Sequence, residues 1–277
     1  MTSTYRKPGL GKLSPEWEQF VKEFPVPPLI GTPEQLRAGF DRPPAPPEPV
    51  GFSITQQSVP GYGGYINQLR IYKPDDPPKN LAAVIYIHGG GWSIGSLDSE
   101  DAICRTICRE NGVVVVSIDY RKAPENPFPT GVEDVWEGIL WVFDNLTSLG
   151  GDFNHVLLGG LSAGANFTAA LTHRAKNTKK VSFRGQILRV PLVVHPAVQP
   201  ADLDFSSYKE NKEAPVLPTE AVTQFLGWYN PVPEDLRMSP LLAEDFTNLP
   251  PAYVQIAGAD PLRDDGFAYV EKLEKAG

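Results

Sequence analysis

The sequence predicts an α/β fold with a mostly parallel sheet, on two observations. From about residue 81 onward, continuous Val/Ile/Leu runs alternate with amphipathic stretches, the pattern of a sheet covered by helices on both faces. Three of those runs close in loops of small or turn-forming residues: His88-Gly89-Gly90-Gly91-Trp92, Gly160-Leu161-Ser162-Ala163-Gly164 and Asp260-Pro261-Leu262-Arg263-Asp264. Loops at the carboxyl ends of parallel strands are where open α/β sheets build their sites.

Residues 1–50 read as a segment apart, Pro-rich and without strand signals. Ser14-Pro15 is a helix start, with Trp17, Phe20, Val21 and Phe24 following on one helical face. Thr32-Pro33-Glu34-Gln35 repeats the start signal as a capping box. Two short apolar helices joined by Pro25-Val26-Pro27-Pro28 suit an N-terminal cap segment, or equally a packed arm without contact to substrate. From Gly51 the pattern turns strand-like: Phe52 to Val59 and Tyr65 to Tyr72 flank Pro60-Gly61-Tyr62-Gly63-Gly64, an antiparallel hairpin. The alternation then runs strand 81–87, helix 102–110, strand 113–118, a helix from Val132, strand 156–159, a helix after Ser162 and strand 186–194. In the second of these helices Trp136, Ile139, Leu140 and Phe143 repeat at i, i+3, i+4 and i+7, so its apolar stripe faces the sheet. Residues 199–235 break the rhythm with five prolines and the aromatics Phe225, Trp228 and Tyr229, which predicts a second part of the cap inserted there. The pattern resumes with a strand at 252–256 and a final helix ending at Gly277.

A chain of 277 residues with 41% hydrophobic content fills one large domain, residues 51–277, beside the N-terminal segment. Its formal net charge of −8 comes without any basic run, which argues against nucleic acid and anionic membranes as partners. No apolar run approaches the roughly 18 residues of a membrane span, and none backs the N-terminal residues as in a signal peptide, so a cytoplasmic protein is expected. Cys104 and Cys108, the only cysteines, lie four apart on a helical pattern and read as core thiols, not as half of a metal site. No cofactor or metal is expected.

A serine hydroxyl attacks well only when a base takes its proton, and a strand-to-helix turn exposes it only when its neighbours are tiny. Gly160, Ala163 and Gly164 meet that need around Ser162. The Ala163 amide, at the start of a helix, and the Gly90 and Gly91 amides, on a loop without side chains, can converge where an oxyanion forms. The order glycine-rich loop, nucleophile, acid, with Asp260 as the acid, is that of α/β hydrolases. Together with Asp119-Tyr120-Arg121-Lys122-Ala123-Pro124-Glu125 and Ser239-Pro240-Leu241-Leu242, these motifs resemble the hormone-sensitive-lipase-like esterases over residues 51–277. The resemblance implies an α/β-hydrolase sheet, a helical cap from the N-terminus and a later insertion, and hydrolysis of short acyl esters; the apolar, aromatic cap suggests short acyl or aromatic substrates. The resemblance makes Ser162 the nucleophile, Asp260 the triad acid, and Gly90, Gly91 and Ala163 the oxyanion donors. Leu161 and Ala165 depart from common family residues without changing these roles, and Asp264 and Asp265 read as the start of the last helix.

The family also places its catalytic histidine after the acid, and no histidine follows Asp260. The resemblance thus implies that a strand, a histidine loop and a last helix, roughly 40 residues, are missing; the chain would then be impaired, and a sheet edge at 252–256 would be free for pairing with a second copy. His88 reads as structural, His155 precedes a strand, and His173 lies on the helix after Ser162. His195, expected at the end of the 186–194 strand, is the one substitute base worth naming. The alternatives are a ligand-binding pseudoenzyme, or a dehydratase or lyase that uses the oxyanion hole without an acyl-enzyme.

Overall fold

The computed structural model describes residues 9–40, 48–77 and 81–277; parts of the N-terminal segment therefore lie outside the described residues. The chain runs α1 (Pro15–Glu23), α2 (Pro33–Phe40), β1 (Phe52–Pro60), β2 (Ile66–Pro74), β3 (Leu81–Ile87), α3 (Asp101–Asn111), β4 (Val114–Ile118), α4 (Thr130–Leu149), β5 (Gly151–Leu161), α5 (Ala163–Ala175), β6 (Gly185–Arg189), α6 (Ser207–Glu210), α7 (Thr219–Tyr229), β7 (Ala252–Gln255) and α8 (Arg263–Ala276). The strands form one seven-stranded sheet in the order β1-β2-β4-β3-β5-β6-β7. The hairpin β1–β2 and the β2–β4 pair are antiparallel, and every later pair is parallel.

Period-two alternation divides the core. Ala83, Ile85 and Ile87 of β3 and Val114, Val116 and Ile118 of β4 join a cluster with α4 and α5, whereas Val84, Tyr86 and Val115 join Cys104 and Cys108 of α3 on the opposite face. Both faces are covered, which is why these strands read as unbroken apolar runs. The two cysteines are free and buried in that second cluster.

Local sequence sets several boundaries directly. Ser14 Oγ accepts from the Trp17 amide at 3.2 Å, and the Thr32–Gln35 box closes in both directions, Thr32 N to Gln35 Oε1 at 2.9 Å and Gln35 N to Thr32 Oγ1 at 3.3 Å. Gly112 and Gly150 end α3 and α4 in left-handed caps.

Two expectations are corrected. The strand predicted over 186–194 stops at Arg189, because Val190 turns to φ +44° and the following Pro191 has no N–H to give a ladder. His195 therefore does not close a strand; it caps a short 3-10 turn. His155 lies inside β5 instead of before it.

Registers bring the parallel strands to a common end. Ile87 stands beside Gly160, Leu161 beside Arg189, and Arg189 beside Gln255. The loops that follow β3, β5, β6 and β7 consequently emerge on one rim of the sheet. At the far edge β7 is the outermost described strand, with Tyr253 63% exposed. No described helix is long and apolar enough to cross a membrane.

Candidate active site

Ser162 occupies the junction of β5 and α5 at φ +53° and ψ −114°, a conformation that side chains rarely adopt. Neighbours hold it there: the Ser162 amide donates to Arg189 O at 2.8 Å, and its carbonyl accepts from the Asn166 amide at 2.9 Å. The glycines around it have a steric cause. A Cβ on Gly164 would stand 2.6 Å from His88 O, and one on Gly160 2.8 Å from Ile87 O, so the turn presses directly on the end of β3.

The loop after β3 runs through positive φ at Gly90 (+117°), Gly91 (+53°) and Trp92 (+59°). Gly90 O accepts from the Ser93 and Ile94 amides at 3.0 and 2.9 Å, which folds the loop back on itself. Phe225 of α7 lies so close to Gly91 that a Cβ there would overlap its ring. Arg37 of α2 ties the same loop down: its guanidinium donates to Ser93 O at 2.9 Å and Ala123 O at 2.8 Å, and it grips Glu125 at 2.7 and 2.8 Å. Sequence reasoning did not single out Arg37, whose partners lie more than 50 residues away.

Gly90, Gly91, Ser162 and Asp260 line one cavity of about 400 Å³. Ala163 is buried at the first position of α5, where an amide has no acceptor within the helix. The rest of the wall is apolar and comes from distant parts of the chain: Leu13, Trp17 and Leu29 from the N-terminal segment, Val216 and Phe225 from the 199–235 segment. Asp260 accepts from the Leu262 amide at 2.8 Å through Oδ1. Burial outweighs that hydrogen bond and pushes its carboxyl up to about 6.

All four histidines are described, and none lines this cavity. His88 is fully buried, with its ring nitrogens 2.6 Å from Gly89 O and 3.2 Å from Asp119 Oδ1, and it stacks on Tyr120 at 4.3 Å between ring centres. His155 is exposed and pairs with Asp152 at 2.8 Å. His173 packs edge-on against Phe246. His195 accepts from the Ala197 amide through Nδ1 at 3.1 Å, and its own amide donates to Ser239 Oγ at 2.9 Å. Among the described residues no three His, Cys, Asp or Glu side chains converge as metal ligands would.

Comparison with known proteins points the same way. The family profile described as the alpha/beta hydrolase fold matches residues 84–277. The carboxylesterase NlhH of Mycobacterium tuberculosis is 37% identical over 251 residues, covering 88% of this chain and 77% of the relative. An arylesterase of Saccharolobus solfataricus is 36% identical over 238 residues, 84% of this chain and 74% of the relative. Among solved structures, vibralactone cyclase superposes with a TM-score of 0.92 at 31% identity, over 99% of this chain and 86% of that one.

Proposed function

This chain belongs to the alpha/beta hydrolase fold family, in its hormone-sensitive-lipase-like branch, and from that premise we propose that it is a serine hydrolase of carboxylic esters that works through an acyl-enzyme on Ser162. One observation carries the reading: Ser162, the two glycines of the loop after β3 and Asp260 share a single apolar cavity. Esterase names among the relatives support the same reaction class.

In the proposed reaction the Ser162 oxygen bonds to the ester carbonyl carbon as its proton passes to a general base, which for these 277 residues is solvent, and the developing oxyanion is met by the Gly90, Gly91 and Ala163 amides. The tetrahedral adduct collapses as the ester C–O bond breaks and the alcohol leaves with that proton; water, giving up a proton in turn, then attacks the acyl-enzyme and releases the acid as the proton returns to the Ser162 oxygen. Ser162 does not lend its own amide to the hole, since that N–H is already given to Arg189 O. Asp260 is the acid that orients and stabilises the protonated base. The described part of the N-terminal segment and residues 199–235 act as the cap, and the apolar side chains they bring to the cavity select short acyl or aromatic esters without charge.

With no histidine lining the cavity, a polypeptide limited to these 277 residues is expected to turn over esters slowly; in a well-studied serine protease the loss of the histidine alone costs on the order of 10⁶ in turnover. Hydrolysis of a short-chain p-nitrophenyl ester tests this. Slow turnover is expected, slower still in Ser162→Ala; turnover unchanged by Ser162→Ala would overturn the acyl-enzyme reading. Brisk turnover abolished by Ser162→Ala would show that a base is present and would direct attention to His195.

A further inference from the structure

The loop that carries Asp260 is held from outside the sheet. After β7 ends at Gln255, residues 256–262 turn over the rim of the sheet before α8 begins at Arg263. Two side chains of the short helix α6 and its end grip this turn. Asn211 donates from Nδ2 to both Gly258 O at 3.2 Å and Asp260 O at 2.9 Å. Ser207 donates from Oγ to Pro261 O at 2.6 Å and accepts there from the Asp264 amide at 3.3 Å. Ser207 is fully buried and Asn211 is 7% exposed. The same four-residue stretch continues onto α8, with Ser207 N to Asp264 Oδ2 at 2.7 Å, Tyr208 OH to Asp265 Oδ2 at 3.1 Å, and Arg263 Nη2 to Glu210 Oε2 at 2.7 Å.

We propose that Asn211, seconded by Ser207, is a positioning residue for Asp260: the inserted segment sets the direction of the acid's carboxylate by gripping the backbone on both sides of it. The inference rests on the proposed role of Asp260 as the acid. Its physical basis is that the ties on this turn from elsewhere in the chain are side-chain donors of one segment, beside the local Arg263 amide, which donates to Asp260 O at 3.1 Å. The hydrogen bond found at the carboxylate comes from the Leu262 amide, two residues on, so the side chain points where the backbone of 260–262 sends it. From outside the turn that backbone is gripped at the 258, 260 and 261 carbonyls by α6 and its end. An amide suits the task because its NH₂ offers two donors in one plane, one for each of two carbonyls. The N-terminal segment closes the other side: a Cβ on Gly11 would stand 2.9 Å from Asn211 Oδ1, and one on Gly258 would overlap Leu10 O. Both cap segments thus bear on the acid loop as well as on the cavity.

A structural tie and a positioning tie differ in what they do to the carboxylate. The test follows the carboxyl carbon of Asp260 by NMR across pH in aspartate-labelled protein, assigned with Asp260→Asn. The ionisable groups around the loop are Asp264, Asp265, Tyr208 and the Arg263–Glu210 pair, and none of them is changed by the test variant. In Asn211→Ala the titration midpoint is expected to fall from near 6 by about one pH unit as water reaches the loosened carboxylate, with faster hydrogen exchange at the Leu262 amide. Should that variant not fold, Ser207→Ala carries the same expectation at smaller amplitude. A lower melting temperature with the midpoint and the Leu262 exchange rate unchanged would overturn the inference and leave Asn211 a structural tie. This readout does not use turnover, so its failure leaves the Ser162 reading standing, and that reading is tested on its own by labelling of the serine.

Discussion

At the scale of single residues, the serine turn is the most legible part of the chain, because its chemistry dictates its sequence. A strained Ser162 pressed against β3 leaves room only for glycine at positions 160 and 164, and glycine is what the sequence has. Gly91 is a less obvious case, since its need for a missing side chain comes from Phe225, 134 positions away in the chain and invisible in any local pattern. That contact gives a prediction. Gly91→Ala places a Cβ in the Phe225 ring at a left-handed position, and the combined overpacking and backbone strain should cost about 2–4 kcal/mol. Urea unfolding measures it, and a loss below about 0.5 kcal/mol would show that α7 yields freely. His195 marks the opposite limit of the sequence: an apolar run before it reads as a strand, but the strand ends six residues earlier at Arg189. Nothing in Val190 itself announces its turn to positive φ.

At the scale of elements, the start of α8 is where local reading falls short. Asp264 and Asp265 read as carboxylates at a helix N-terminus and do stand in its first turn, but both are fully buried and serve tertiary contacts. Asp265 Oδ1 accepts from the Val193 and Val194 amides at 2.9 and 3.3 Å, which holds the segment that leaves β6 beside the cavity. Burial outweighs those hydrogen bonds and pushes the Asp265 carboxyl up to about 8. A carboxyl whose folded value lies above its unfolded one holds a proton longer in the native state, so its contribution is present below about pH 4 and is lost as pH rises toward 8. Unfolding free energy measured between pH 5 and 8 should therefore decline in the parent, on the order of a few kcal/mol for this group, and decline less in Asp265→Asn, whose amide oxygen still accepts from both N–H groups. Parallel pH profiles for the two proteins would contradict the assignment.

At the scale of the whole molecule, the sheet was legible and the cavity was not. Alternating strands and helices predict the parallel sheet, and the in-register strand ends at Ile87, Leu161, Arg189 and Gln255 explain why its loops meet. Nothing in the sequence places Leu13, Trp17 and Leu29 against Val216 and Phe225, because their meeting depends on how two segments nearly 200 residues apart fold over one rim. The resulting cavity brings a strained Ser162, the Gly90 and Gly91 backbone and the buried Asp260 together, and none of the four histidines lines it. The most direct test supplies a general base from solution. The 277-residue protein is treated with a fluorophosphonate, with and without free imidazole, and the adduct is located by mass spectrometry. The account predicts a single adduct on Ser162, formed faster with imidazole, slowed by Asp260→Asn and absent in Ser162→Ala. An adduct that persists in Ser162→Ala, or no adduct on Ser162 even with imidazole, would contradict it.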